Sequence, residues 1–352
     1  MHLFKRLALA STAAFLSCGN RLLFYSTLPA VRRWATFCRA HVQRTATQVS
    51  ARILSPLTNR ASAAPSASSA PAYAFDLDSF AIFEAGSPVG SQIAQGSAIP
   101  VAAILPGSRS VQVSAIATVF AAMINTGNST AANCQPVLPP AQSSNLQMGY
   151  QTTDPNTNAV TGAPNTPVSI ASGATQTFVL VFQATAPLSG TLTPLFVCAN
   201  YIPAQIEAGV DTVDLLFSAS PVPDIIALAL TSSGDGTLHM DITGLGAFAV
   251  ATANLGISST ITATVTPELN VFPLLTSLSI CQTNPATGIC IAPPTSSSVT
   301  TTIDNDAEPT FAIFASSGGP IPFLPAINRI FVTFTDSSGV KHGSTSVAVT
   351  SQ

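Results

Sequence analysis

The chain has 352 residues, of which 47% are hydrophobic and only 8% charged, against roughly a quarter charged in an average soluble domain. Such a composition excludes disorder driven by charge and low hydrophobicity. The scarcity of Glu, Lys and Arg beside Ala, Val, Thr, Ser and Pro argues against a helical bundle or coiled coil. The 27 prolines and 21 glycines demand frequent turns, which suits many short strands.

Charge divides the chain. Residues 1–75 hold nine cations and no carboxylate, whereas residues 76–352 hold three cations, Arg109, Arg329 and Lys341, against all fifteen carboxylates, a formal −12. A body so poor in cations cannot neutralise many phosphates, so nucleic acid is not an expected partner.

Lys5 and Arg6 followed by the apolar run Leu7–Leu16 have the layout of a secretory signal, and the run is too short to span a bilayer, so no transmembrane helix is expected. A basic stretch continues to Arg60, followed by an Ala/Ser/Pro run, and Ala72-Tyr73-Ala74 has the small-x-small form of a cleavage site. Three readings stand open for residues 1–75: an export signal with a long basic tail, an organellar transit peptide, and an extended reading frame whose first residues are not made. Phe15-Leu16-Ser17-Cys18 only weakly resembles a lipoprotein box and reads as an incidental cysteine in a discarded leader.

The body repeats itself at an offset of about 130 residues, with a small drift of the kind that insertions in loops produce. Asn125-Thr-Gly127 matches Asn254-Leu-Gly256, and Gln151 to Pro164 matches Gln282 to Pro293. Farther on, Thr177-Phe178 matches Thr310-Phe311, Phe196-Val197 matches Phe331-Val332, and Gly209-Val210 matches Gly339-Val340. Val111-x-Val113-x-Ala115, Phe178–Phe182, Thr310–Phe314 and Ile330–Thr335 are β-branched and aromatic runs bounded by turn residues, and they read as strands. About seven strands per unit fits a β-sandwich, with a single large barrel or a β-helix as the alternative. The expected fold is therefore all-β, with a basic leader (1–75), a first sandwich (76–222) and a second (223–352). The Pro-rich stretch Ser218–Asp224 reads as a stiff linker holding two separable units end to end.

The strand that ends in Met123-Ile-Asn125-Thr-Gly127-Asn-Ser-Thr130, repeated as Phe248 to Gly256, resembles the strand-turn signature of bacterial immunoglobulin-like modules. The resemblance covers about 260 residues and rests on an Asn-x-Gly turn, which suits any connection needing a positive φ. It implies tandem sandwiches in a secreted or cell-surface protein, acting as spacer or adhesive unit without catalytic residues. The antibody pattern of Cys, Trp and Cys is missing from both units, Trp34 lying in the leader.

Cys281 and Cys290 align with Tyr150 and Val160, and Cys134 and Cys198 align near Ala263 and Thr333. Each pair is present together in one unit and absent together from the other, which is the pattern of bonded partners. The expected disulfides are Cys134–Cys198 and Cys281–Cys290, placing the body in an oxidising compartment, periplasmic or extracellular. Four free thiols in a cytosolic protein are the alternative.

For chemistry the body offers little. His239 and His342 have no second ligand at metal spacing, and no Gly-x-Ser-x-Gly elbow is present. His342 reads as a solvated turn residue and His239 as a strand-face residue. Asp304, Asp306 and Glu308 would share one side of an extended segment; a solvated turn and a weak calcium site compete for them. No cofactor is expected, and without tryptophan the body has poor sugar-stacking platforms. These observations favour a non-enzymatic structural or adhesive surface protein whose partner is a protein or glycan at the cell surface. The runner-up is a carbohydrate- or calcium-dependent binding module of an extracellular enzyme system; an enzyme comes third.

Overall fold

A computed structural model describes residues 100–269 and 275–351. The leader, with its cleavage site and Cys18, and residues 76–99 of the expected first sandwich lie outside the described residues.

The first half contains β1 (Val101–Leu105), β2 (Ser108–Gln112), β3 (Ile116–Ile124), β4 (Ala131–Val137), β5 (Leu146–Thr153), β6 (Val168–Ile170), β7 (Thr175–Ala184), β8 (Leu188–Leu192), β9 (Leu195–Val197) and β10 (Val213–Ser218). The second contains β11 (Ile225–Leu230), β12 (Thr237–His239), β13 (Leu245–Asn254), β14 (Ser259–Leu269), β15 (Leu275–Thr283), β16 (Ser298–Ile303), β17 (Thr310–Ser317), β18 (Asn328–Thr335) and β19 (Lys341–Thr350). The fold is all-β.

In the first half a sheet ordered β1-β3-β7-β5 faces two shorter ones, β2-β10-β8 and β6-β4-β9. In the second half β11-β13-β17-β15 faces β12-β19-β18-β14-β16. The two orders match strand for strand once β8 and β9 are seen as one strand broken at Thr193-Pro194, where proline offers no amide to a ladder. In each half the chain leaves its antiparallel edge strand and pairs parallel to the last strand of the opposite sheet, β2 with β10 and β12 with β19. Inward residues alternate as a two-residue period requires: Ile261, Ala263 and Val265 on β14, and Ile330, Val332 and Phe334 on β18, are buried. Each half encloses its own apolar core.

The repeated asparagines explain much of the match. Asn125 donates from Nδ2 to the carbonyls of Ser129 and Ile170, and Asn254 does the same to Ile257 and Ile303. Both are buried, and each accepts at Oδ1 from the amide of the glycine two residues on. Neither Gly127 nor Gly256 has the positive φ expected from the motif. Space dictates the glycine: a Cβ at Gly256 would collide with the Val222 carbonyl oxygen, and one at Gly127 would sit 2.5 Å from the Tyr201 hydroxyl.

Three local readings change. β2 stops at Gln112, because Ser114 takes φ 69° and Ala115 turns back to bond the Gln112 carbonyl; the Val111-x-Val113-x-Ala115 alternation runs into a turn. Phe196 pairs with Pro136 on β4 and Phe334 with Ala263 on β14, so Phe334, three residues past Phe331, is the buried counterpart of Phe196. The linker is no free spacer: Val222 and Asp224 accept at their carbonyls from Ile257 and Leu255, and the Asp224 side chain is buried.

Candidate functional site: the acidic turn, the cysteine clamps and the junction between the sandwiches

Asp304, Asp306 and Glu308 lie between β16 and β17, but not on an extended segment. Asp306 takes φ 65°, the left-handed conformation that Gly173 takes in the first half, so the alternation that would align the three side chains is lost. Asp304 Oδ1 accepts from Ser258 Oγ at 2.7 Å, and the turn backbone returns to Asn254. Among the described residues no group of three or more His, Cys, Asp or Glu side chains is placed to hold a metal ion. The three side chains therefore do not share one side of an extended segment, and the turn fastens the β13–β14 connection.

The structure joins Cys134 to Cys198 and Cys281 to Cys290. The first ties β4 to the end of β9; the second closes the turn after β15. Thr152 and Gln282 accept equivalent bonds from Thr161 and Ile291, which makes Gln151, not Tyr150, the counterpart of Cys281. Gln151 donates from Nε2 to the Gly162 carbonyl at 2.7 Å, so an amide fastens in the first half what a disulfide fastens in the second. On the same ladders Cys134 corresponds to Ile261, and Cys198 follows Val197 as Asp336 follows Thr335.

His342 is not solvated. It is buried at the start of β19, with Nε2 3.0 Å from Asp336 Oδ2. Asp336 also accepts from Ser338 Oγ and from the Ser338 and Val340 amides. Burial works the other way, but the bonds from His342 and Ser338 hold the carboxyl well below the usual carboxylate range. His239, at the exposed end of β12, pairs with Asp235 at 2.9 Å, and Ser233 donates to the same carboxylate. In both clusters the aspartate stands between serine and histidine. A nucleophile needs direct contact with its base, and neither serine makes it.

A polar constellation built from residues far apart in the sequence lies where the sandwiches meet. All three cations of the 76–352 body are there. Arg109 on β2 reaches Asp224, just ahead of β11, with Nη2 to Oδ2 2.9 Å and Nε to Oδ2 3.1 Å, the two side chains being 9% and 5% exposed. Arg109 Nη1 donates to the Thr118 carbonyl, and the Ser110 amide donates to Asp224 Oδ1. Lys341 on β19 bonds Asp214 on β10 at 3.0 Å, and Ser344 Oγ donates to the same carboxylate. The Ser344 amide donates to Ser108 Oγ, and Ser346 Oγ to the Gly209 carbonyl. Gly209 rides on the Phe331 ring, where a Cβ would come within 2.5 Å.

Arg329 on β18 is buried beside Ser346, with Glu207 and Glu268 in electrostatic range; burial pulls its pKa down to about 10 against the attraction of these carboxylates. Glu207 is itself raised by burial and lowered by Arg329. Asp211, which accepts from the Glu207 amide at 2.7 Å, is pushed up to about 7 by burial, the Glu207 charge adding to the rise. One signal was available in the sequence: with only three cations in so long a body, each marks a place to look for a paired carboxylate.

No protein-family model and no curated protein matches the chain. Among solved structures, the N-terminal domain of PorA is 10% identical over 35% of this chain and 96% of its own, with a TM-score of 0.22. The major pilin subunit BcpA of Bacillus cereus is 9% identical over 63% of this chain and 69% of its own, at 0.24. The C-terminal domain of the Streptococcus agalactiae AgI/II polypeptide BspA is 12% identical over 71% of this chain and 99% of its own, at 0.22. These likenesses are too distant to assign the chain to any of them. Among the described residues no helix is long and apolar enough to cross a membrane.

Proposed function

We propose that this chain is a non-enzymatic structural or adhesive protein of an oxidising, extracytoplasmic compartment, with sandwiches at 76–222 and 223–352 that act as one stiff unit. The observation that carries the reading is the junction. A chain that holds few ions concentrates all three body cations where the sandwiches meet, and one buried pair, Arg109–Asp224, fixes the linker against β2. A flexible array of independent binders has no use for such a clamp, whereas a spacer that must hold a fixed geometry does. The two cross-links within the sandwiches suit the same compartment and purpose. The charge-poor, Ser- and Thr-rich surface favours weak, repeated polar contacts with a protein or glycan at the cell surface.

Protease shaving of intact source cells, followed by detection of β-strand peptides from the supernatant, tests the location. Release of those peptides, together with weakened surface attachment when the gene is deleted, is the expected result. Peptides released only after lysis, with thiols free to alkylate, would overturn it.

A further inference from the structure

Beside the Arg109–Asp224 clamp the junction has a second contact, made by the turn from Glu207 to Asp211 ahead of β10. Two bonds within the turn shape it: the Asp211 amide donates to the Glu207 carbonyl, and the Glu207 amide donates back to Asp211 Oδ1 at 2.7 Å. Gly209 takes φ 72° and lies on the Phe331 ring of β18. Its carbonyl accepts from Ser346 Oγ of β19 at 2.9 Å, and Ser346 in turn accepts from Arg329 Nη2 at 2.8 Å and Nε at 3.2 Å. The chain from Arg329 through Ser346 to Gly209 thus docks the turn of the first sandwich on the second.

The charges around this chain do not balance. Arg329, 7% exposed, supplies the guanidinium, and Glu207 from the turn and Glu268 from β14 face it. Asp211, 2% exposed, adds a third carboxyl beside Glu207. β1 holds the turn from its other side, the Ile104 amide donating to the Val210 carbonyl, and has no ionisable side chain. Asp214 is paired with Lys341, and His342 on β19 is paired with Asp336. With every carboxyl ionised, the described residues of this contact would set three negative charges against one positive, largely away from water. Glu268 Oε2 is buried without a hydrogen bond to offset its share. Burial and repulsion therefore favour one proton in the docked contact, on Asp211, which as a neutral acid still accepts the Glu207 amide at Oδ1.

We propose that this turn is a proton-held latch: it docks on β18 and β19 while Asp211 keeps its proton and lifts off when that proton is lost, with Arg109–Asp224 joining the sandwiches in both states. The latch rests on the stiff junction of the proposed function and adds to it a response to pH. Its direction follows from linkage. A carboxyl released into water ionises in the ordinary acid range, whereas the docked Asp211 keeps its proton towards neutrality. Between those limits each pH unit shifts the ratio of docked to free turn about tenfold toward the free form. Glu207, also raised by burial, acts in the same direction.

Hydroxyl-radical footprinting of the full chain at about pH 5 and about pH 8.5 tests the latch, with Phe331 as reporter and Phe334, 0% exposed in the core, as the check that the fold is intact. The ratio of Phe331 to Phe334 oxidation should rise severalfold at the higher pH. Asp211→Asn keeps the acceptor for the Glu207 amide but cannot ionise, and should hold the low ratio at both. The Asp211 carboxyl carbon, followed by NMR in the unaltered protein, should titrate near neutrality in step with the change at Phe331, a readout that needs no variant to fold. Equal ratios at the two pH values, a rise that persists in Asp211→Asn, or titration of Asp211 in the ordinary acid range would overturn the latch. None of these results touches the stiff unit, which fails instead if the two sandwiches take separate alignments at both pH values.

Discussion

Arg109 and Asp224 are 115 residues apart in sequence and meet through two hydrogen bonds to Oδ2 and a longer one from Nε to Oδ1, with both side chains buried. Two buried charges each incur a desolvation cost that only their mutual contact and further bonds offset. The Ser110 amide and the Thr118 carbonyl supply those further bonds. Removing one partner leaves the other charge buried alone. Asp224→Ala should therefore lower stability by about 3–5 kcal/mol, and Arg109→Met combined with Asp224→Leu should recover most of it. Denaturant titration of the two single variants and the double variant checks this, and additive losses would speak against the pair as a unit.

The pH dependence follows from Asp211. Its carboxyl is raised from an ordinary 3.8 to about 7, chiefly by burial. Between these values the folded protein keeps a proton that the unfolded chain has lost. The contribution is complete below pH 4 and is lost as pH rises through 7. Melting temperatures should fall between about pH 4 and 7 and level off above that, and Asp211→Asn, which cannot ionise, should flatten that slope. An unchanged slope in the variant would assign the titration elsewhere.

The cysteine links close loops of very different size, with sequence separations of 64 and 9. In the chain-entropy model these constrain the unfolded state by about 4 and about 2.5–3 kcal/mol respectively. Replacing Cys134 and Cys198 by Ala should cost more than replacing Cys281 and Cys290, because Gln151 shows that an amide can hold the equivalent turn. Urea titrations of the two double variants make the comparison, and non-reducing peptide maps of native protein should return the same two links.

Gly256 has no room for a methyl group, since an added Cβ would run into the Val222 carbonyl oxygen and lie 2.6 Å from the Asp224 nitrogen. Gly256→Ala must push the linker away from the β13–β14 connection. It should destabilise the protein by at least as much as an overpacked core substitution, about 1–3 kcal/mol. Gly234→Ala meets no neighbour but carries a φ of 65°, so its cost is conformational strain alone and should be smaller. Calorimetry of both variants ranks them.

How much of this was readable beforehand depended on the range of the interaction. Alternation on β14 and β18 is local, and a period of two declares it; the apolar runs of β3 and β7 are also local, and their β-branched and aromatic content between turn residues marks them as strands. The Asn-x-Gly repeat marked equivalent turns, but its glycines answer to crowding by the linker and by Tyr201, which only the tertiary fold reveals. Sequence similarity pairs Phe196 with Phe331 in place of Phe334 because the two halves differ in the length of the connections before them, and similarity does not fix ladder register. His342 looked solvated from its turn neighbours, yet the environment that buries it comes from elsewhere in the fold. The junction joins residues far apart in the chain, and only the scarcity of cations hinted at it.

On the proposed function, the junction holds the two sandwiches in one orientation. Residual dipolar couplings of backbone amides, measured in the full chain for β1–β10 and for β11–β19, test it most directly. A rigid junction predicts that both sets fit a single alignment tensor, and that Asp224→Ala separates them into two while each sandwich keeps its own internal fit. Two different tensors in the unaltered protein, with no change on removing Asp224, would contradict it.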